Sequence, residues 1–308
     1  MSEPKKTRTS KLAPIIFMGS LFVIIQGLAL LLVGPFEAAG LSAFDNPTDP
    51  GNLVYFFSMF LISTAVILVI AKFRRKLVNV LILGSVGFFA FFVLLSLLAL
   101  VIPDIWAALG ISGAVAALMI VLLVKYPEWY VIDACGALFG LGSIAMLGIS
   151  LSIPLVIILL TGLAIYDAIS VYKTKHMIDL ADVVLERKLP VMLVIPKSRG
   201  YSLMRETKGL KEKLRDKEER EAFGIGLGDV VMPGILVAST FHNISSNGIL
   251  VALSVMVGTL CGFAVLMAFV IKGRPQAGLP FLCSGAIVGY LLSSYLLFGR
   301  LVGLSPFI

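Results

Sequence analysis

Apolar runs of about 20 residues alternate with short polar breaks along nearly the whole chain, and this rhythm is its strongest structural signal. At 1.5 Å per residue, a helix of that length crosses the ~30 Å hydrocarbon core of a bilayer. Nine runs qualify: residues 12–33, 52–71, 77–102, 105–124, 131–149, 151–172, 223–241, 248–271 and 277–298. The pattern predicts an all-α, polytopic membrane protein with nine transmembrane helices. No small-residue cleavage site follows the first run, which is therefore read as a retained helix rather than a signal peptide.

The breaks divide the chain into four units: a polar tail (1–11), helices one to six (12–172), an insertion (173–222) and helices seven to nine (223–308). The insertion is the one long polar stretch. In its first part Met177, Leu180 and Val184 recur at helical spacing, which predicts an amphipathic helix lying in the interface. Next, Val191, Met192, Leu193, Val194 and Ile195 form a short apolar run bounded by Pro190 and Pro196, the signature of a strand. The stretch from Glu206 to Glu221 alternates charges at helical spacing and predicts a solvated helix or linker.

Composition agrees with the pattern. Hydrophobic residues make up 59 % and charged residues 14 %, with a mean hydropathy of +1.02, against roughly 25 % charged in soluble domains. A net charge of +7 would suggest a nucleic-acid partner in a soluble protein. Here the cations fill the breaks instead, so no nucleic acid is expected. With the N-terminus cytoplasmic, every Lys and Arg except Arg300 falls on the inner side, as the positive-inside rule requires. The expectation is an integral, multi-pass protein, in the cell membrane if the source is prokaryotic, with its insertion in the cytosol and its C-terminus outside. Cys135, Cys261 and Cys283 lie in or beside apolar runs with no metal-ligand spacing, so neither a disulfide framework nor a metal is expected, nor any other cofactor.

Two acids stand inside apolar runs, Asp167 in the sixth and Asp229 in the seventh. Each costs about 2.5–3.5 kcal/mol at the centre of an isolated membrane helix, so the pair calls for a partner, a water cavity or a task. Asp167 lies roughly 9 Å from the inner end of its run and Asp229 roughly 12 Å from the inner end of the next, antiparallel one. Side by side, the two carboxyls face each other and share one proton. One then acts as general base on a water while its protonated partner polarises a peptide carbonyl, which is aspartic-protease chemistry. Gly224, Gly226 and Gly228 precede Asp229 at every second position, a poor sequence for a helix. They loosen the start of the run and leave backbone open to a substrate strand, or else serve close helix packing.

Tyr166-Asp167 and Gly226-Leu227-Gly228-Asp229 resemble the YD and GxGD motifs of the presenilin and signal peptide peptidase family of intramembrane aspartyl proteases. The nine-run plan and the insertion between the acids are similar too, so the resemblance covers nearly the whole chain and is closest to the archaeal-type presenilin homologues. The family's third motif, Pro-Ala-Leu before the ninth helix, is altered to Ala277-Gly278-Leu279, where only Leu279 agrees. The resemblance implies a presenilin-like fold and Asp167 and Asp229 as the catalytic dyad. It further implies Tyr166, Gly226, Leu227, Gly228, Ala277, Gly278 and Leu279 shaping the site, and the strand at 191–195 pairing with an unwound substrate by β-augmentation. Substrates would be single-span membrane proteins cut within or near their transmembrane segments, with homo-oligomers left open.

Other chemistries are weaker. Gly110-Ile111-Ser112-Gly113 fits a rhomboid-type GxSG, but of the two histidines His176 falls on the inner side, a base at His242 leaves both acids unexplained, and helix packing accounts for the glycines. No HExxH is present for a zinc protease. A proton- or cation-coupled transporter using the same acids is the main rival, although its usual paired halves are missing. Asp133, beside Glu128 near the inner end of the fifth run, is expected to be a wet interfacial acid.

Overall fold

The computed structural model describes residues 9–73, 75–171, 192–196, 201–204, 222–271 and 276–304. The expected interfacial helix around Met177, the residues Pro190 and Val191, and the charged linker after Glu206 lie outside the described residues. Nine helices and two strands are described: α1 (Thr9–Ala38), α2 (Gly51–Phe73), α3 (Arg75–Ala99), α4 (Ile105–Lys125), α5 (Trp129–Ser150), α6 (Ile153–Ile169), β1 (Met192–Pro196), β2 (Ala222–Gly226), α7 (Leu227–Asn243), α8 (Gly248–Ile271) and α9 (Leu279–Phe298). Among the described residues, α1, α3, α4, α5, α8 and α9 contain stretches long and apolar enough to cross a membrane. Helix α2 has 23 residues, with Gly51–Ile67 as its described apolar stretch, and α6 is a shorter apolar helix, Ile153–Ile169. Helix α7 has 17 residues, or about 25 Å.

Local chemistry sets several helix ends. Asp104 caps α4 by accepting the Trp106 N–H at 3.0 Å, the satisfaction of an orphan donor expected at an N-cap. Ser152 stands at the N-cap of α6 without a side-chain capping bond, and Pro154 lies in the first turn, where a missing N–H costs nothing. The predicted seventh span begins too early, because residues 222–226 are strand β2 and the helix starts at Leu227.

The centre of the bundle is α5, buried on most of its circumference and packed on α1, α3, α7 and β1. It meets α7 where Gly148 lies against Ala238, with the Ala238 and Ser239 backbone 3.2 Å from where a Gly148 Cβ would sit. Helices α8 and α9 approach still more closely. A Cβ on Gly258 would sit 2.2 Å from the Gly285 carbonyl oxygen, and one on Gly262 2.2 Å from that of Phe281. This is the small-residue packing that helices use where no hydrophobic force drives them together. The glycine pair of α4 behaves otherwise, contrary to expectation: a Cβ on Gly110 would meet nothing, and one on Gly113 would make an ordinary contact with Phe91.

The two strands pair antiparallel, with Leu193 opposite Ile225, Val194 opposite Gly224 and Ile195 opposite Phe223. Side chains alternate between faces. Leu193, Ile195 and Ile225 enter the main core, whereas Val194 enters a second cluster with Val86, Leu123, Ile132 and Cys135. A two-stranded sheet is marginal alone; this one is held by apolar contacts on both faces.

Candidate active site

Both acids stand in terminal turns rather than mid-helix. Asp167 is the third residue from the end of α6, and Asp229 is the third residue of α7. That position explains the GxGD spacing. Gly226 is the N-cap of α7, and the carboxyl of Asp229, at the third helical position, turns back toward the Gly226 N–H, as the acidic member of a capping box does. A Cβ at 226 would lie 3.4 Å from Asp229 Oδ2, an ordinary contact, so the space there does not by itself demand glycine. Pro233 sits four residues beyond Asp229 and has no N–H, so the Asp229 carbonyl lacks its usual i+4 donor. From α1, the buried Gln26 donates to the neighbouring Val230 carbonyl at 3.3 Å.

The segment before α9 joins the acids. Leu279 N–H donates to Asp167 Oδ2 at 3.1 Å, and the Gly278 N–H also faces Asp167. Gly278 lies against the other acid: a Cβ there would be 3.0 Å from both Asp229 carboxyl oxygens. One stretch of backbone therefore touches both carboxyls, and each lies within the other's electrostatic field. Asp167 is only 8 % exposed and Asp229 half-buried. Ala277 is fully buried, while Gly228 points into open space. Tyr166, the chain neighbour of Asp167 on α6, is 61 % exposed. Leu227 is buried in the core below the pair.

Of the strand residues, Met192, Leu193, Val194 and Ile195 form β1; Val191 lies outside the described residues. Gly224 gives Met192 room, since a Cβ there would lie 2.4 Å from the methionine sulfur. Sequence reasoning missed two contributors, Cys283 and Asp133. Cys283, one turn into α9, is fully buried and within the field of both acids. Gly278 and Leu279, both within the motif before the ninth helix, meet the acids through their backbone. Asp133 is not wet: it is 9 % exposed, and its Oδ1 accepts the Val194 N–H at 2.7 Å. The amide comes from a strand far along the chain, which local sequence cannot reveal.

The other chemistries find no support in the geometry. Ser112 is buried and its hydroxyl donates to Ala108 O of its own helix at 2.7 Å. His242 Nδ1 lies 3.5 Å from Glu37 Oε2 at the far end of α7. No group of three metal-ligating side chains occurs among the described residues.

A helical membrane bundle with two carboxyls gathered around one backbone segment belongs to the class of intramembrane aspartyl proteases. Residues 19–299 match the family described as signal-peptide peptidase, presenilin aspartyl protease. The chain belongs to that family, and the transporter alternative is set aside with it. Two solved structures of a presenilin family intramembrane aspartate protease are similar. The one in space group C222 is 32 % identical over 92 % of this chain and 98 % of that one, with a TM-score of 0.65. The one in space group P2 is 36 % identical over 91 % of this chain and 96 % of that one, with a TM-score of 0.67. No curated protein matches the chain.

Proposed function

We propose that Asp167 and Asp229 form the catalytic dyad that hydrolyses peptide bonds within or near the transmembrane segments of single-span membrane proteins. The observation that carries this reading is the backbone shared by both acids, with Leu279 N–H on Asp167 and Gly278 against Asp229. The pair holds one proton between them. The ionised carboxyl takes a proton from water, whose oxygen attacks the scissile carbonyl carbon, while the protonated partner gives its proton to the carbonyl oxygen. Collapse of the resulting diol breaks the C–N bond, with a proton passing to the leaving nitrogen. Gly226, Leu227, Gly228, Ala277, Gly278 and Leu279 shape the site, and Tyr166 forms its outer wall.

A substrate must be unwound to reach the pair, and we propose that the sheet receives it. The Val194 N–H is taken by Asp133, so β1 bonds to β2 through Leu193 and Ile195. By alternation, Phe223 and Ile225 face β1 and Gly224 faces away. A substrate strand then adds at the outer edge of β2, with β1 as its support rather than its direct partner, by β-augmentation. Charge asymmetry supports a cytoplasmic N-terminus, nine spans, an external C-terminus and a cytosolic insertion carrying the strand.

The test is cleavage of a synthetic single-span substrate by the purified protein in lipid. Asp167→Asn or Asp229→Asn is expected to lower turnover by at least about 10²- to 10⁴-fold, the usual worth of one acid–base group. Retained turnover in either variant would remove that residue from the dyad. N-methylation of the substrate backbone, one position at a time, is expected to inhibit with a period of two; uniform tolerance would exclude strand addition.

A further inference from the structure

Two carboxylates near the start of α5 hold the segment that carries the sheet. Glu128, the N-cap of α5, accepts the Ser202 hydroxyl through Oε1 at 2.6 Å and the Leu203 N–H through Oε2 at 3.1 Å. Five residues on, Asp133 accepts the Val194 N–H at 2.7 Å. A buried carboxylate is costly to keep, so an aliphatic residue would serve better if only space-filling were required. A charge-assisted bond to a backbone amide is a strong, directional contact, and this one falls on the edge of β1 turned away from β2.

An uncovered strand edge accepts any extended chain offered to it. We infer that Asp133 is a positioning residue for proteolysis: by occupying the α5-side edge of β1 it fixes the sheet and directs the substrate strand to β2. Glu128 anchors the following turn in the same way. The inference rests on the proteolytic reading of the site. Since β2 runs without a break into α7, the setting of the sheet is also the setting of Gly226 and, three residues on, of Asp229. Asp133 thereby fixes which substrate peptide bond reaches the two acids, without touching substrate itself.

The experiment uses the full chain in lipid, a single-span test substrate, mass spectrometry of the cut positions and hydrogen exchange of the 192–196 segment. Asp133→Ala is expected to speed exchange of that segment and to spread cleavage over additional positions. Its catalytic efficiency should fall roughly tenfold to a hundredfold, the range for losing a hydrogen bond to a charged group. Asp133→Asn keeps the acceptor and is expected to restore the wild-type cut positions. Val194→Pro removes the donor without touching the rungs at Leu193 and Ile195, and the double variant Asp133→Ala/Val194→Pro is expected to be no worse than either single one. Wild-type exchange and wild-type cut positions in Asp133→Ala would overturn the inference, as would losses that simply add in the double variant. A purely supportive role would lower the yield of folded protein and leave the cut positions alone. If the wild-type protein cuts nothing, the proteolytic reading has failed, and the exchange measurement alone decides whether Asp133 clamps the strand.

Discussion

Helices α8 and α9 and the outer wall formed by α2–α4 use glycine in opposite ways. Between α8 and α9, Gly258, Gly262, Gly285 and Gly289 bring backbone against backbone, with no flexible side chain in between. In the wall, Gly84 and Gly110 face nothing within 4 Å, and Gly87 meets only the flexible side chain of Ile120. Helix α2 packs mainly on α3 and turns apolar side chains such as Val54, Leu61 and Ile62 outward. The acids sit on the tightly packed side, where a small error in backbone position cannot relax into a rotamer change. Positional accuracy in this protein comes from missing side chains.

The sharpest way to break that contrast is Gly262→Leu, which drives a side chain into the Phe281 carbonyl, within one turn after the segment that meets both acids. It is expected to cost more than the roughly 1–3 kcal/mol of ordinary overpacking, because backbone is the obstacle. Thermal unfolding in lipid or detergent checks it, and an unchanged midpoint would contradict the packing. Gly278→Val comes next. It is expected to leave the bundle folded while pushing on the Asp229 carboxyl, for about a 10²-fold loss of cleavage, the scale of a 1 Å misplacement. Comparing its unfolding midpoint with its turnover separates the two effects. The smallest change is expected for Gly110→Ala: no loss of cleavage and a midpoint equal to wild type or raised by up to about 1 kcal/mol of helix propensity.

How much was legible follows the same division. Apolar runs announce helices because the bilayer demands about 20 residues at a stretch, and two acids within such runs stand out against that background. Phe223 to Gly226 misled because glycine alternating with apolar residues reads equally well as the head of a span; only pairing with residues some 30 positions earlier makes it a strand. Asp133 misled for the same reason, its neighbour Glu128 suggesting water while the partner amide belongs to β1. The change from Pro-Ala-Leu to Ala277-Gly278-Leu279 was visible in the sequence. That its middle residue abuts Asp229 became visible only in the fold.

That middle residue carries a last consequence. Gly278 stands between two groups that must neither collide nor drift apart, so it works as a spacer gauge whose thickness is set by what hangs from one α-carbon. Family members with alanine at the corresponding place would run the same reaction across a gap one methyl wider, and would have to adjust the flanking helices to match. Divergence among these enzymes would then be recorded at this point in steps of single carbon atoms.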